Sequence, residues 1–291
     1  MNYPLQAIHI PKTIGNDLPF TDCSPGCGSV AKYVSIATKE ASLDIASMCE
    51  SSTKVFILEV MGRHAGWIAA SSGLAAQQQG EPPHIILFPE IAFNRESFIA
   101  KVKDTVEEAG YCVIVAAEGA RYSDGAHISG SLQKDAFGHQ QLGGVAPALA
   151  SMIKHALGYK YHWALADYLQ RSARHIASAV DVRQAYAVGR EAVERALLGE
   201  TSVMISIRRT LQSTYDWSLE TVPLLHVANT EKCMPSDFIR HDGFGITQKA
   251  RHYLEPLIVG ESYPPYINGL PFYVTLKNTL TPKRLKKAFN T

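Results

Sequence analysis

Net charge is nearly absent from this chain: 28 basic residues face 27 acidic ones, a formal +1 over 291 residues. That excludes a global field able to gather nucleic acid or an anionic membrane surface, and leaves any anionic partner to be held by local charges. Cysteine is sparse and odd in number: Cys23, Cys27, Cys49, Cys112 and Cys233. Such usage argues against a disulfide framework and fits a reducing, cytoplasmic setting. Cys23 and Cys27 form a C-x3-C pair, but no second Cys/His pair follows at finger spacing, which argues against zinc. No apolar stretch is long enough to cross a bilayer, and the first residues show neither the basic region nor the apolar run of a signal peptide. Internal repeats and low-complexity segments are missing too. What is present suits one large α/β unit or two lobes with a well-buried core.

Apolar runs alternate with helical patterns along the chain. Ala7–Ile10 reads as a short buried strand closed by Pro11, and residues 11–28 form a loop rich in Pro, Gly and Asp/Asn. From Ser29 the apolar positions Val30, Tyr33, Val34, Ile36, Ala37, Ala41 and Ile45 recur at helical spacing, with Ser24-Pro25 as a cap and first-turn proline. Strands are expected at Val55–Val60, His84–Phe88, Tyr111–Ala116, Lys160–Ala166 and Val203–Ile207. Helices are expected over Trp67–Ala76, Glu96–Ala109, Val145–Leu157 and Val182–Leu198, with a polar surface excursion across Arg121–Gln141. Continuous apolar strands separated by helices predict parallel pairing with both faces covered. Ligands of open α/β sheets sit at the carboxyl ends of the strands. The spacing therefore predicts one edge on which Lys12-Thr13, Met61-Gly62-Arg63, Glu118 and Tyr168–Arg171 converge.

Each of these loops carries usable chemistry and each has a plainer alternative. Pro11-Lys12-Thr13-Ile14-Gly15-Asn16-Asp17 packs a cation, a hydroxyl and a carboxylate behind a strand, the groups that phosphoryl transfer requires; it equally makes a turn with a solvated lysine. Gly62 lets backbone approach a ligand and Arg63 offers a planar fork for phosphate, or the pair closes a tight strand–helix turn. Glu118 at a strand end can accept from sugar hydroxyls or simply face water. Tyr168 and Arg171, three apart, share one helix face and suit a phosphate clamp or an ordinary helix start.

The string PKTIGNDLPFTDCSPGCGS resembles the PKTIDNDLPGTD loop of pyrophosphate-dependent phosphofructokinases. EVMGRHAGW, the FPE after the third strand, EGAR, YLQR, DGFGIT and YPPYINGLP follow in the family's order, over essentially the whole chain. The resemblance implies a phosphofructokinase-like α/β fold with parallel and mixed sheets covered by helices, built as two Rossmann-like lobes with the first truncated. It implies residues 1–50 as the end of a donor-phosphate lobe, 51–210 as a sugar-phosphate lobe, and 211–291 as a segment packing back across both. The implied activity is the glycolytic phosphorylation of fructose 6-phosphate to fructose 1,6-bisphosphate, with pyrophosphate as donor and Mg2+ as cofactor, in a homo-oligomer (dimer or tetramer).

Residue by residue, the resemblance assigns Thr13 to the transferred phosphoryl group and the sugar phosphate, with Ile14 and Gly15 beside it. Lys12 matches the lysine that supports pyrophosphate where ATP users carry glycine. Met61, Gly62 and Arg63 match the substrate-binding MGR, and Glu118 the carboxylate on the sugar hydroxyls. Tyr168, Leu169, Gln170 and Arg171 match the segment gripping the 6-phosphate, and Lys54 a basic residue that reaches the sugar phosphate of a neighbouring subunit. Asp17 matches an accessory catalytic group and is expected to point away from residue 15.

Two departures accompany the match. Gly15 stands where the family has the aspartate that deprotonates the 1-hydroxyl, and glycine has no proton acceptor. The family's Gly-rich loop and GGD-type segment for the diphosphate and magnesium have no counterpart here, so no metal ligand is expected in this chain, and an exposed apolar strand edge is expected around Ile8 and Ile10. A catalytically silent sugar-phosphate-binding paralogue or fragment, and an ATP-dependent 6-phosphofructokinase, are the alternatives.

Overall fold

The computed structural model describes residues 5–129, 144–210 and 214–282. In chain order the elements are β1 (Ile8–His9), α1 (Cys27–Met48), β2 (Val55–Val60), α2 (Trp67–Ser71), β3 (Ile85–Leu87), α3 (Arg95–Ala109), β4 (Cys112–Ala117), α4 (Val145–Leu157) and β5 (Tyr161–Leu165). There follow α5 (Asp167–Ser172), α6 (Ala179–Leu197), β6 (Val203–Arg209), β7 (Trp217–Pro223), α7 (Leu224–Val227), α8 (Gln248–Leu254), β8 (Tyr266–Ile267) and β9 (Leu270–Pro271). The polar excursion expected over Arg121–Gln141 is described only as far as residue 129; the rest of it lies outside the described residues.

Four strands make a fully parallel sheet in the order β3-β4-β2-β5. The central strands, Val-Phe-Ile-Leu-Glu-Val and Cys-Val-Ile-Val-Ala-Ala, are almost wholly buried because helices cover both faces. On one face Val30 and Val34 of α1, Trp67 and Ile68 of α2 and Leu254 of α8 close over Leu58, Val60 and Val115. On the other, Phe98 and Val102 of α3 and Leu149 and Ile153 of α4 pack on Val55, Ile57 and Ile114. The β5 edge is different: its residues are half-buried or exposed, with Trp163 at 43%.

A second, three-stranded sheet has the order β1-β6-β7, with β1 parallel to β6 and β7 antiparallel to it. Val188 and Ala192 of α6 pack on Ile205 and Ile207. β6, expected within the sugar-phosphate segment 51–210, thus pairs with β1 and not with β2–β5. The antiparallel β7 was not legible as a strand: Trp-Ser-Leu-Glu-Thr-Val-Pro alternates only weakly and ends in proline. The expectation that β1 is buried is corrected. It is an edge strand with His9 exposed and Ile10 46% exposed, in keeping with the apolar edge anticipated there.

Local starts explain how the helices are set. The expected Ser24-Pro25 cap does not form; α1 begins after Gly26 with no side-chain cap of its own sequence. The cap comes from Asp181 in α6, whose carboxylate accepts from the Gly26 N–H (2.8 Å) and the Ser29 N–H (3.0 Å). A carboxylate at a helix N-terminus satisfies orphan donors and meets the positive end of the dipole. Burial raises the Asp181 pKa, against the opposing pull of Ser29 and the Gly26 N–H. Glu59 of β2 does the same for α4, accepting from the Gly144 N–H (3.0 Å) and the Ala146 N–H (2.8 Å).

Substituting Asp181→Ala leaves buried amides unpartnered and is expected to lower stability by about 1–3 kcal/mol, the usual penalty for an unsatisfied buried group. The midpoint of urea unfolding measures it; an unchanged midpoint contradicts the capping role.

Candidate active site at the carboxyl edge of the parallel sheet

Parallel register delivers the ends of β2, β4 and β5 to one edge. Val60 pairs with Ala117 and Glu59 with Leu165, so the next residues of each strand, Met61, Glu118 and Ala166, emerge side by side. The Glu118 N–H donates to the Val60 carbonyl (2.9 Å), and the Gly119 N–H to the Gly62 carbonyl (3.1 Å). Two glycines permit this approach. Gly62 has φ of 142°, a backbone that L residues rarely adopt, and a Cβ at Gly119 would lie 1.9 Å from the Arg63 carbonyl oxygen.

Glu118 is half-buried, and its Oε1 accepts from the Gly62 N–H at 3.3 Å. Burial holds its carboxyl above the ordinary carboxylate range; the Gly62 N–H and the Arg63 guanidinium pull it back, while Asp167 adds to the rise. The α5 segment begins with strain, since Asp167 has φ of 33°, an uncommon value for a residue with a side chain. One turn on, the Arg171 guanidinium lies over the Tyr168 ring, 4.8 Å from its centroid, with both side chains exposed. Leu169 is exposed beside them. Gln170 turns inward: it is buried, its Oε1 accepts from the Met61 N–H at 3.3 Å, and its Nε2 has no hydrogen-bond partner among the described residues. Gln170 thus ties the Met61–Arg63 loop to α5.

The Lys12–Asp17 loop does not emerge from this edge. It follows β1, a strand of the other sheet, and so corrects the expectation that four loops leave one sheet edge. It still meets the same core, because Ile14 packs on the apolar cluster that includes Val60, Trp67 and Met61. Lys12 is exposed, and the Thr13 hydroxyl accepts from the Gly15 N–H at 3.1 Å. Asn16 is fully buried with φ of 54°. That left-handed turn sends the Asp17 side chain back: its Oδ2 lies 3.1 Å from where a Cβ on residue 15 would stand. Asp17 therefore does not point away from residue 15, contrary to the sequence expectation.

Lys54 is placed elsewhere. It lies at the amino end of β2, where its N–H donates to the Lys160 carbonyl (2.9 Å). Six strand residues separate it from Met61, roughly 20 Å along the sheet, so Lys54 does not join the other site residues within one chain.

Several residues that shape the site were not read from the sequence. Glu90, of the FPE string, accepts from the Gly66 N–H through both oxygens (2.9 and 3.1 Å) and from the Met234 N–H (3.0 Å). His64 contacts Glu231 at 2.8 Å. Both join the loop after β2 to the segment around residue 232. The enrichment of Asn at left-handed positions offered a signal for Asn16; nothing local marks Lys232 as a residue drawn in behind the Thr13–Asp17 loop.

Comparison with known proteins agrees with this fold. The phosphofructokinase family model matches residues 2–196. The chain is 61% identical over 285 residues to the pyrophosphate–fructose 6-phosphate 1-phosphotransferase of Halomonas elongata, covering 98% of this chain and 68% of that protein. It is 57% identical over 290 residues to the protein of the same name from Methylococcus capsulatus, covering 100% and 69%. The crystal structure of a pyrophosphate-dependent phosphofructokinase from Marinobacter aquaeolei superposes with a TM-score of 0.90 at 59% identity, covering 99% of this chain and 69% of that one.

Because the Glu118 carboxyl is raised, its protonated form favours the folded state, and stability declines as pH rises through the range just above ordinary carboxylate values. In Glu118→Gln that part of the decline is expected to vanish. Melting temperatures measured from pH 4 to pH 8 would show it as a flatter profile than the natural chain's.

Proposed function

Because the chain belongs to the phosphofructokinase family, we propose that it binds fructose 6-phosphate at the carboxyl edge of the β3-β4-β2-β5 sheet and phosphorylates its 1-hydroxyl from pyrophosphate. The observation that carries the reading is the meeting of the Met61–Arg63 loop, Glu118 and the Tyr168–Arg171 turn on that one edge. Arg171, stacked on Tyr168, grips the 6-phosphate with charge-assisted hydrogen bonds. Glu118 accepts from the sugar hydroxyls, and Met61, Gly62 and Arg63 line the ring. Lys12 and Thr13 face the phosphoryl group. In the transfer, the 1-hydroxyl oxygen bonds to a phosphorus of pyrophosphate, the bridging P–O bond breaks, and orthophosphate leaves; the products are fructose 1,6-bisphosphate and orthophosphate. Lys12 and the relatives described above favour pyrophosphate over ATP.

The hydroxyl proton needs an acceptor, and Gly15 supplies none. Asp17, folded back beside residue 15, is the carboxylate standing nearest that position. A positioned base contributes typically about 10²–10⁴ in rate, so turnover by the natural chain is slow. A sugar-phosphate binder without turnover is the second reading, and Gly15 is the residue that favours it. Magnesium enters with pyrophosphate in this reading. Among the described residues no three His, Cys, Asp or Glu side chains gather into a metal site. We further infer a homo-oligomer, in which Lys54, remote from its own chain's site, reaches the sugar phosphate of a second copy.

Calorimetry with fructose 6-phosphate and a coupled assay for fructose 1,6-bisphosphate separate the readings: binding with slow product supports the first, binding with none the second, and no binding refutes both. Arg171→Ala should weaken fructose 6-phosphate binding roughly tenfold through loss of a charge-assisted contact. Gly15→Asp should raise turnover by about 10²–10⁴. The backbone admits the side chain, since φ there is ordinary and the nearest obstacle is the Asp17 carboxylate, the mobile end of a side chain.

A further inference from the structure

Lys232 belongs to none of the motifs above, yet it is half-buried behind the Thr13–Asp17 loop. It donates to three oxygens: Asn16 Oδ1 (3.1 Å), the Thr21 carbonyl (3.0 Å) and the Asp22 carbonyl (2.9 Å). An ammonium has three donors, so all are used. Its backbone N–H donates to the Asp17 carbonyl (2.7 Å), and its own carbonyl accepts from Trp67 Nε1 (3.0 Å). The Trp67 ring stands 5.4 Å from the ammonium. Lys232 therefore holds the loop by the side chain of Asn16, by the main chain of Asp17 and by the following turn.

No carboxylate pairs with this cation among the described residues; Asp22 pairs with Arg209 instead (3.1 Å). Burial holds the Lys232 pKa below its usual value, while Cys27, Cys23, Asp22 and Asp17 act to raise it. The thiols of Cys23 and Cys27 are themselves pushed up by burial and stay neutral. A partly desolvated charge held only by neutral carbonyls and an amide is costly as a mere support. Its grip falls on Asn16, whose left-handed backbone fixes where Asp17 and residue 15 stand. Asn16 is further held by the Ser24 N–H on Oδ1 (3.2 Å), and its Nδ2 donates to the Tyr253 hydroxyl (2.9 Å).

We propose that Lys232 is a positioning residue for phosphoryl transfer, acting through Asn16 to hold Thr13, Gly15 and Asp17 in the geometry the reaction requires. This rests on the proposed phosphotransferase reading of the same loop. The sugar-phosphate groups, Arg63, Glu118 and Arg171, hang from the other sheet and do not touch Lys232.

The test is Lys232→Met, which keeps the stem and removes the charge, with Val102→Ala in the α3 core as a control for general destabilisation. Each is made in the natural chain and in the Gly15→Asp chain, and fructose 6-phosphate affinity, pyrophosphate-dependent kcat and amide hydrogen exchange are measured. For Lys232→Met the affinity should stay within roughly threefold while kcat falls by roughly thirtyfold or more, a split that marks a loss confined to the transition state. Amides of residues 13–22 should exchange about tenfold faster, with β2 and β4 unchanged, as expected for local opening. Val102→Ala should loosen α3 and leave kcat within roughly threefold.

The proposal is overturned if loop exchange or kcat in Lys232→Met stays within about threefold of the parent chain. It is equally overturned if exchange quickens evenly across the sheet or if Val102→Ala lowers kcat as far. Failure of the natural chain to bind fructose 6-phosphate, or of both parent chains to turn over, overturns the phosphotransferase reading instead.

Discussion

The parallel pairing of β2 with β4 is the constraint from which the site follows. With Val60 opposite Ala117, the two strands end level, and the chain after each must turn away in the same small volume. Only backbone without a side chain fits where Gly119 passes the Arg63 carbonyl. The loops are thus locked to each other by main-chain hydrogen bonds, and the Glu118 carboxylate accepts from the Gly62 N–H across them. β5 continues the same register, bringing Asp167–Arg171 to the same rim.

Carboxylates divide the labour between scaffold and chemistry. Glu59, Glu90 and Asp181 all spend their oxygens on backbone amides: Glu59 at the start of α4, Glu90 at the start of α2, Asp181 at the start of α1. Glu118 and Asp17 keep lone pairs to offer. This explains why the acids of EVMGR and FPE are turned toward backbone amides. A buried acceptor at a helix start satisfies donors that nothing else in the local sequence can reach.

Most strands and helices were legible because burial on both faces writes near-continuous apolar runs, as in Val55–Val60 and Cys112–Ala117, and because α3 and α4 show strong periodicity. The meeting of Arg63, Glu118 and Tyr168–Arg171 on one edge was legible from their place at strand ends. What was not legible depends on distant partners. Asp181 caps a helix more than 150 residues away, Lys232 donates to a loop from the opposite end of the chain, and β7 becomes a strand by pairing with β6. The separate origin of the Lys12–Asp17 loop was hidden for the same reason: strand pairing, not strand content, decides which sheet β1 joins. The inward turn of Asp17 follows from one left-handed residue, Asn16, whose conformation is held by tertiary contacts.

The stacking of Arg171 on Tyr168 has a consequence beyond charge. A free arginine on a protein surface samples many rotamers and gives up that conformational entropy when an anion immobilises it. On the six-residue α5 the guanidinium already lies over an aromatic ring, 4.8 Å from its centroid, and remains exposed to water. Much of the ordering has therefore been done before any anion arrives, and a pre-arranged cation of this kind binds more tightly than its charge alone would give.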